Sequence, residues 1–338
     1  MSLLRFDATT SDWVIFAPER ARRPHARAPA AVEGGPAQVA TGSCPFCPGN
    51  EHLTGPEIYA LRGTGASNAP GWQTRVIANK FPALRIEEDH RRYEEGTLFR
   101  FMGGCGAHEV IVESPDHDRL LAHQSIEQVE AVLRTLQARF NDLLRDARFQ
   151  TIILFKNHGE TAGTSLHHPH WQLIATPVVP RLLRLKHAVA TDYFDQTGNC
   201  LYCVLLADEL AFGERIVAQN DHFAAVMPYA AHAPFETWIL PKEHQSSFGW
   251  MPSERLRPLA GILKTVLLKF DLGLDNPDFN LTINTVPRGD EDKKYFLWHI
   301  EIVPRLTRTA GFELGSGMTI NTVLPEDAAR SLREVETT

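Results

Sequence analysis

Apolar and polar positions follow one pattern that occurs twice along the chain. In the first half, a strand pattern at 108–113 precedes an amphipathic helix pattern near 125–147. Two further strand patterns follow, at 151–155 and in the histidine-rich segment ending at 173–177. Alternating or continuous short apolar runs predict strands, and apolar residues three and four positions apart predict a helix. We therefore expect the order strand, helix, strand, strand in this half.

The second half repeats that order. Its three strand patterns and one helix pattern fall at 236–240, 280–284, 297–304 and 253–270. A C-x-x-C pair precedes the first strand of each half, at Cys44/Cys47 and Cys200/Cys203. Recurrence of the same elements in the same order indicates duplication of one unit. We expect two domains, 1–180 and 181–338, with the boundary near 178–195.

The links between successive strands are partly short, which favours an α+β fold. Such a fold has a mainly antiparallel sheet with helices packed on it. A doubly wound parallel sheet fits less well, and no G-x-G-x-x-G motif follows a strand pattern. A chain of 338 residues is long enough for two such units.

Composition narrows the function only a little. With 43% apolar and 22% charged residues, the chain is typical of a globular protein. A net charge of −7 argues against a nucleic-acid partner, but it is compatible with a small anionic substrate. The first residues lack a signal-peptide pattern, and no apolar run approaches the roughly 18 residues of a membrane helix. We expect a cytoplasmic location and no membrane partner.

The two C-x-x-C pairs predict metal sites. Zinc prefers four nitrogen or sulfur ligands in a tetrahedron, and a C-x-x-C pair supplies two of them. Each half adds one histidine after a strand and one on its last strand, so we expect two zinc ions per chain. The two ligand sets are Cys44, Cys47, His117, His168 and Cys200, Cys203, His244, His299. The alternatives are buried structural cysteines and histidines, or a redox role for the pairs.

The segment around His170 predicts a nucleophile. His168 and His170 lie two apart on a predicted strand, so their side chains share one face. A metal-bound His168 would hold the neighbouring His170 rigidly. A neutral imidazole with one nitrogen bonded to a carbonyl leaves the other free to attack phosphorus. The corresponding position of the second half is Glu301, so we expect only one half to be catalytic.

Several groups near this segment suit phosphate. The loop 157–165 is rich in glycine and hydroxyl groups, and Ser165 and Gln172 could donate to phosphoryl oxygens. The arginine cluster at 20–23 could hold a second phosphate, although such clusters are more often solvated surface.

Together these motifs resemble the galactose-1-phosphate uridylyltransferase family, a double-repeat branch of the histidine-triad superfamily. The resemblance covers nearly the whole chain. Its landmarks, in chain order, are Pro18-Glu19-Arg20-Ala21-Arg22-Arg23-Pro24, Cys44-Pro45-Phe46-Cys47, Asn79-Lys80-Phe81-Pro82, His108-Glu109-Val110, His168-Pro169-His170-x-Gln172, Pro241-Lys242-x-His244, Trp298-His299 and Gly311-Phe312-Glu313-Leu314.

The resemblance implies tandem histidine-triad-like units and a ping-pong reaction. His170 would take the uridylyl group of UDP-glucose, release glucose 1-phosphate, and pass the group to galactose 1-phosphate. The partners would be a sugar nucleotide and a hexose 1-phosphate, and the protein would be a homodimer. The family's substrate contacts correspond here to Arg20, Arg23, Asn79, Asn157, Ser165, Gln172 and Glu313.

Three departures leave the base and the sugar open. Trp171 replaces a glycine and puts a large ring beside the nucleophile, and Phe312 replaces a tyrosine. The cysteines of the second metal site resemble the plant-type ADP-glucose phosphorylases. The alternative function is therefore adenylyl transfer or phosphorolysis of ADP-glucose-type sugar nucleotides. A third hypothesis is a binding module that kept the fold and the zinc but not catalysis.

Overall fold

The computed structural model describes residues 2–22 and 42–337. Within those ranges the strands are β1 (Leu3–Asp7), β2 (Asp12–Phe16), β3 (Glu57–Arg62), β4 (Trp72–Ala78), β5 (Arg92–Glu95), β6 (Phe99–Met102), β7 (Ala107–Val112), β8 (Thr151–His158), β9 (His170–Thr176), β10 (Ile216–Gln219), β11 (Phe223–Val226), β12 (Thr237–Pro241), β13 (Phe279–Asn284), β14 (His299–Pro304) and β15 (Ile320–Asn321). The helices are α1 (Ile126–Leu143), α2 (Arg181–Thr197), α3 (Leu201–Phe212), α4 (Leu256–Leu274), α5 (Gly311–Ser316) and α6 (Pro325–Arg333).

Ten of these strands form one antiparallel sheet. Its order is β10-β11-β12-β14-β13-β8-β9-β7-β4-β3, and every neighbouring pair is antiparallel. The sequence of elements outward from the central β13–β8 pair is the same on both sides. The α+β fold and its duplication are therefore confirmed, and the two units join into one continuous sheet.

The longest helix of each half packs against its counterpart and against the sheet. In α1, the buried residues Val129, Val132, Leu136, Phe140 and Leu143 recur every three or four positions, which makes one apolar face. That face contacts α4 and strands β4, β7 and β8. Ser125 caps the helix by accepting the N–H of Gln128. Within the described ranges, no helix combines the length and apolar character needed to cross a membrane.

Two regions differ from the sequence expectation. The segment expected to hold the domain boundary contains helix α2, which begins directly after Pro180. Strands β1 and β2 pair with each other, and β15 adds to β2 in parallel. This small sheet packs on the second half, since Val14 and Phe16 are buried against Ala230. The N-terminal strands thus lie against residues more than 200 positions away.

Candidate active site and metal groups

Four cysteine and histidine side chains of the first half converge on one point. The ligand atoms of Cys44, Cys47, His117 and His168 all lie within 4.8 Å of one another. The Cys47 Sγ atom is 3.2 Å from His117 Nδ1, and both cysteine sulfurs are 3.7 Å from His168 Nδ1. In a zinc tetrahedron, bond lengths of about 2.3 and 2.0 Å place sulfur and nitrogen about 3.6 Å apart. The donor set and its spacing therefore fit a zinc ion.

His168 is oriented for this role by a backbone group. Its Nε2–H donates to the Ser114 carbonyl oxygen at 2.9 Å, so Nδ1 carries the lone pair that faces the sulfurs. Burial lowers the pKa of His168 to about 4, which keeps the imidazole neutral.

The second half brings together three of its four predicted ligands. Cys200, Cys203 and His244 form a group, and Cys203 Sγ lies 3.2 Å from His244 Nδ1. The hydrogen bond from the Cys203 thiol outweighs burial and lowers the pKa of Cys200 to about 5. A thiolate is the form that binds metal.

The predicted fourth ligand, His299, is not part of that group, and this prediction is corrected. Its Nδ1–H donates to the Leu297 carbonyl oxygen at 3.0 Å. The rings of Tyr202 and Trp238 stack on it, with centroids 4.9 and 5.0 Å away. Its Nε2 atom is buried and has no hydrogen-bond partner among the described residues. Burial lowers the pKa of His299 to about 3, so the ring is neutral.

His299 instead occupies the position of His170 in the other half. Each residue is the first of its strand, and each donates Nδ1–H to the carbonyl two residues earlier. The counterpart of Gln172 is therefore Glu301, and Leu297 stands where the first half has His168. The expectation that Glu301 corresponds to His170 is wrong by two residues.

His170 is held as a neutral base. The bond from its Nδ1–H to the His168 carbonyl oxygen is 2.9 Å long and fixes the tautomer, so the lone pair is on Nε2. Burial lowers its pKa to about 4. No hydrogen bond from another described residue occupies Nε2. His168 lies in a bend before strand β9 and not on the strand itself. It therefore orients His170 through its backbone carbonyl, and not as a side chain on the same strand face.

His170 borders two cavities. The larger, about 410 Å³, has apolar walls that include Phe46, Ile77 and Val110, and the Phe46 ring meets His170 edge-on at 5.4 Å. The smaller, about 150 Å³, is bordered by several polar side chains, among them Lys156 and Asn157. A ligand that extends from one cavity into the other would therefore contact His170.

The predicted substrate residues fall into three sets. Those that line the cavities beside His170 are Asn79, Ser165 and Gln172 in the larger one and Asn157 in the smaller one. Arg20 is exposed in the turn Pro18–Arg22, and Glu313 accepts the N–H of Ala310 in the first turn of α5; neither lines these cavities. Arg23 lies outside the described residues.

Trp171 does not stand beside the nucleophile, contrary to expectation. Adjacent strand residues point to opposite faces, so His170 and Gln172 face the cavity while Trp171 points into the core. It is fully buried there, packed with the residues of the sheet and of α1. Phe312 is exposed on α5 and lines neither cavity.

Three residues near the site were assigned no role from the sequence: Glu113, Lys156 and His108. Lys156 and Glu113 form a buried ion pair with a very short contact, and Lys156 lines the smaller cavity. His108 contacts Gln172 at 2.8 Å. The sequence signals for two of them were a lysine directly after one strand pattern and a histidine at the start of another.

A neutral histidine that borders two cavities, beside a four-ligand metal group on a duplicated antiparallel sheet, is the arrangement expected of a nucleotidyltransferase. The chain belongs to the galactose-1-phosphate uridyl transferase family. The family's N-terminal domain matches residues 1–180, and its C-terminal domain matches residues 186–338.

Individual relatives fall into two named activities. The ADP-glucose phosphorylase of Arabidopsis thaliana is 36% identical over 99% of this chain and 93% of its own length. A crystal structure of that enzyme type from the same plant, with bound ADP-glucose, has a TM-score of 0.85 at 34% identity and covers 100% of both chains. The galactose-1-phosphate uridylyltransferase of Thermotoga maritima is 30% identical over 99% of both chains.

Proposed function

We propose that this protein transfers a nucleoside monophosphate from a nucleoside-diphosphate hexose to an acceptor phosphate through a covalent intermediate on His170. The observation that supports this proposal is the bond from His170 Nδ1–H to the His168 carbonyl, which leaves a neutral Nε2 at the edge of both cavities.

The reaction has two displacements at the same phosphorus. The Nε2 lone pair attacks the α-phosphorus, the bond to the β-phosphate oxygen breaks, and hexose 1-phosphate leaves with that electron pair. An oxygen of the acceptor phosphate then attacks the same phosphorus, and the P–N bond breaks to restore neutral His170. In the intermediate, Nδ1–H remains bonded to the His168 carbonyl, which stabilises the positive charge on the ring.

The surrounding residues bind and orient the substrate. The apolar walls of the larger cavity suit a base, and Ser165 and Gln172 can donate to the phosphoryl oxygens. All the substrate contacts remain predictions, as do a homodimer and the division at residue 180; the residues are Arg20, Arg23, Asn79, Asn157, Ser165, Gln172 and Glu313.

Zinc is the metal we assign to the first group, because two thiolates and two imidazoles in tetrahedral spacing are its preferred ligands. When bound there, zinc would supply a structural crosslink. Because His168 is one of the four ligands, the metal group also fixes the His168 backbone carbonyl that orients His170. The second group supplies three ligands, and its two sulfurs also favour zinc.

Two nucleotide donors, each with its own acceptor, are supported as substrates. ADP-glucose, with inorganic phosphate as acceptor, is supported by the 36% identity to the plant phosphorylase across nearly the whole chain. UDP-glucose with galactose 1-phosphate, giving UDP-galactose and glucose 1-phosphate, is supported by the family itself and by the 30% identity to the bacterial uridylyltransferase.

The test is covalent labelling by each donor alone. Protein incubated with α-³²P-labelled ADP-glucose or UDP-glucose should gain an acid-labile, alkali-stable adduct, as a phosphoramidate does. His170→Ala should not label, whereas His90→Ala, which changes an exposed histidine, should label like the wild type. The donor that labels faster identifies the base. Absence of label from both donors, or labelling of His170→Ala, would refute the covalent mechanism.

A further inference from the structure

We propose that His108 is a positioning residue that aims the Gln172 amide at the transferred phosphoryl group. This inference rests on the function proposed above and deepens it. His108 is the second residue of β7 and does not line the cavity that holds His170 and Gln172. It acts on the substrate only through Gln172.

A backbone group sets the tautomer of His108. The N–H of Ala83 donates to His108 Nδ1 at 3.1 Å, and a backbone N–H can only donate. Nδ1 is therefore the acceptor, so the proton of the neutral ring is on Nε2. That nitrogen lies 2.8 Å from the Gln172 side-chain oxygen Oε1. His108 thus donates to Gln172.

This donation fixes which end of the Gln172 amide faces His108. The oxygen and nitrogen of a glutamine side chain can exchange places by rotation, and neighbouring groups decide between them. Because the Nε2–H group of His108 is a donor, it can form this hydrogen bond only when the Gln172 oxygen faces it. The NH₂ group of Gln172 then points away, and among the described residues no hydrogen-bond acceptor engages it.

A second backbone anchor gives the same result. Asn79 Oδ1 accepts the N–H of Phe81 at 2.9 Å, so its Nδ2 atom faces the other two side chains, 3.1 Å from His108 Nε2 and 3.4 Å from Gln172 Oε1. Because His108 Nε2 carries a proton, the Asn79 NH₂ group can donate only to Gln172 Oε1. Two N–H groups of the loop 79–83 therefore orient His108 and Asn79, and both side chains present donors to one oxygen.

The consequence is a preorganised donor for an oxyanion. Gln172 and His170 lie two apart on β9, so they share the face that borders the larger cavity. The free NH₂ group of Gln172 can donate to an oxygen of the phosphorus that His170 attacks. A donor already aimed where charge develops requires no reorganisation during the reaction.

Two substitutions separate the two contacts of His108. In His108→Asn, the amide reaches the position of Nδ1, so its oxygen can keep the Ala83 contact while the donor to Gln172 is lost. In His108→Gln, the amide reaches the position of Nε2, so a donor to Gln172 is kept while the Ala83 contact is lost. If His108 only holds the 79–83 loop, His108→Asn should react faster than His108→Gln. If His108 positions Gln172, His108→Gln should react faster than His108→Asn.

The measurement is the single-turnover rate constant for adduct formation on His170, with the donor's dissociation constant obtained from its concentration dependence. We expect His108→Asn to lower the rate constant by roughly tenfold to a hundredfold with a much smaller change in donor binding. His108→Gln should restore most of the rate. In a Gln172→Ala background, His108→Asn should have no further effect, because the group it orients is absent.

Each outcome bears on one proposal. If the wild type forms no adduct, the proposed function fails. If the wild type labels and His108→Asn labels at the same rate, or His108→Asn exceeds His108→Gln, the positioning role alone is refuted. Additive losses in the Gln172→Ala background would also refute it. Thermal unfolding of each variant verifies that the compared proteins are folded.

Discussion

His299 lies in the second half of the sheet in the same place and with the same backbone hydrogen bond as His170 in the first. The Nδ1–H group donates over 2.9 Å in His170 and over 3.0 Å in His299. The surroundings differ. The rings of Tyr202 and Trp238 both pack against His299, and its relative exposure is 0%, whereas His170 borders open cavities. Both halves therefore have a histidine at this position, but the histidine of the second half is fully buried.

This relationship predicts that His299 contributes to stability and not to group transfer. His299→Ala leaves a cavity beside two aromatic rings and should lower the free energy of unfolding by roughly 3 kcal/mol. The folded variant should form the His170 adduct at the wild-type rate and should retain the metal held by Cys200, Cys203 and His244. Chemical denaturation, labelling and metal analysis test this. Loss of the second metal ion would show that His299 is a ligand after all.

The two metal groups should differ in their effect on the reaction. Cys47→Ser weakens the group that includes His168, whose carbonyl orients His170, and should lower adduct formation by roughly tenfold to a hundredfold. The matched change Cys203→Ser weakens the other group and should leave adduct formation near the wild-type rate. Metal content by mass spectrometry verifies which ion each variant has lost. Equal losses of rate would contradict a link through His168.

Much of the fold could be predicted because the duplicated strands and the two long helices carry strong local patterns. Helix α1 has an apolar residue at every third or fourth position, and the C-x-x-C pairs mark equivalent points in both halves. The packing of β1 and β2 could not be predicted. It depends on contacts such as that between Arg5 and Glu326, which are distant in sequence and have no local signal.

The site was predictable where one strand determined it. His170 and Gln172 share a face because strand side chains alternate, and the same rule already places Trp171 on the other face. Matching His299 to His168 failed for a different reason. Two histidines in one half and one in the other allow two alignments, and the three-dimensional structure distinguishes them by strand position and by the hydrogen bond to Leu297. The orientation of Gln172 by His108 depends on pairing between strands β7 and β9.

Because Trp171 belongs to the core, changing it should affect stability and not the choice of nucleotide. Trp171→Ala should lower the free energy of unfolding by about 3–5 kcal/mol, as expected for loss of a fully buried large side chain. Trp171→Phe keeps most of the volume and is the better variant for kinetics. Its ratio of labelling rates with ADP-glucose and UDP-glucose should equal that of the wild type. A changed ratio would mean that the ring influences the base pocket.

The contact between Asp7 and His232 should make the attachment of the N-terminal strands depend on pH. His232 Nε2 lies 3.0 Å from Asp7 Oδ2. Burial alone would raise the pKa of Asp7, but the hydrogen bond to His232 lowers it to about 2. Burial would lower the pKa of His232, but the same bond, together with the nearby charges of Glu236, Asp7 and Glu301, raises that pKa above its ordinary value.

The sign of the effect follows from the histidine. A group whose pKa is raised by folding contributes its full stability below its unfolded pKa, and loses it as pH rises through the folded value. The free energy of unfolding of the wild type should therefore exceed that of His232→Gln by more at pH 6 than at pH 9. Urea unfolding at both pH values measures this difference. Asp7→Asn should reduce the same pH dependence, because the hydrogen bond and the charge of the Asp7 carboxylate both raise the pKa of His232; an undiminished dependence in that variant would assign it to another group.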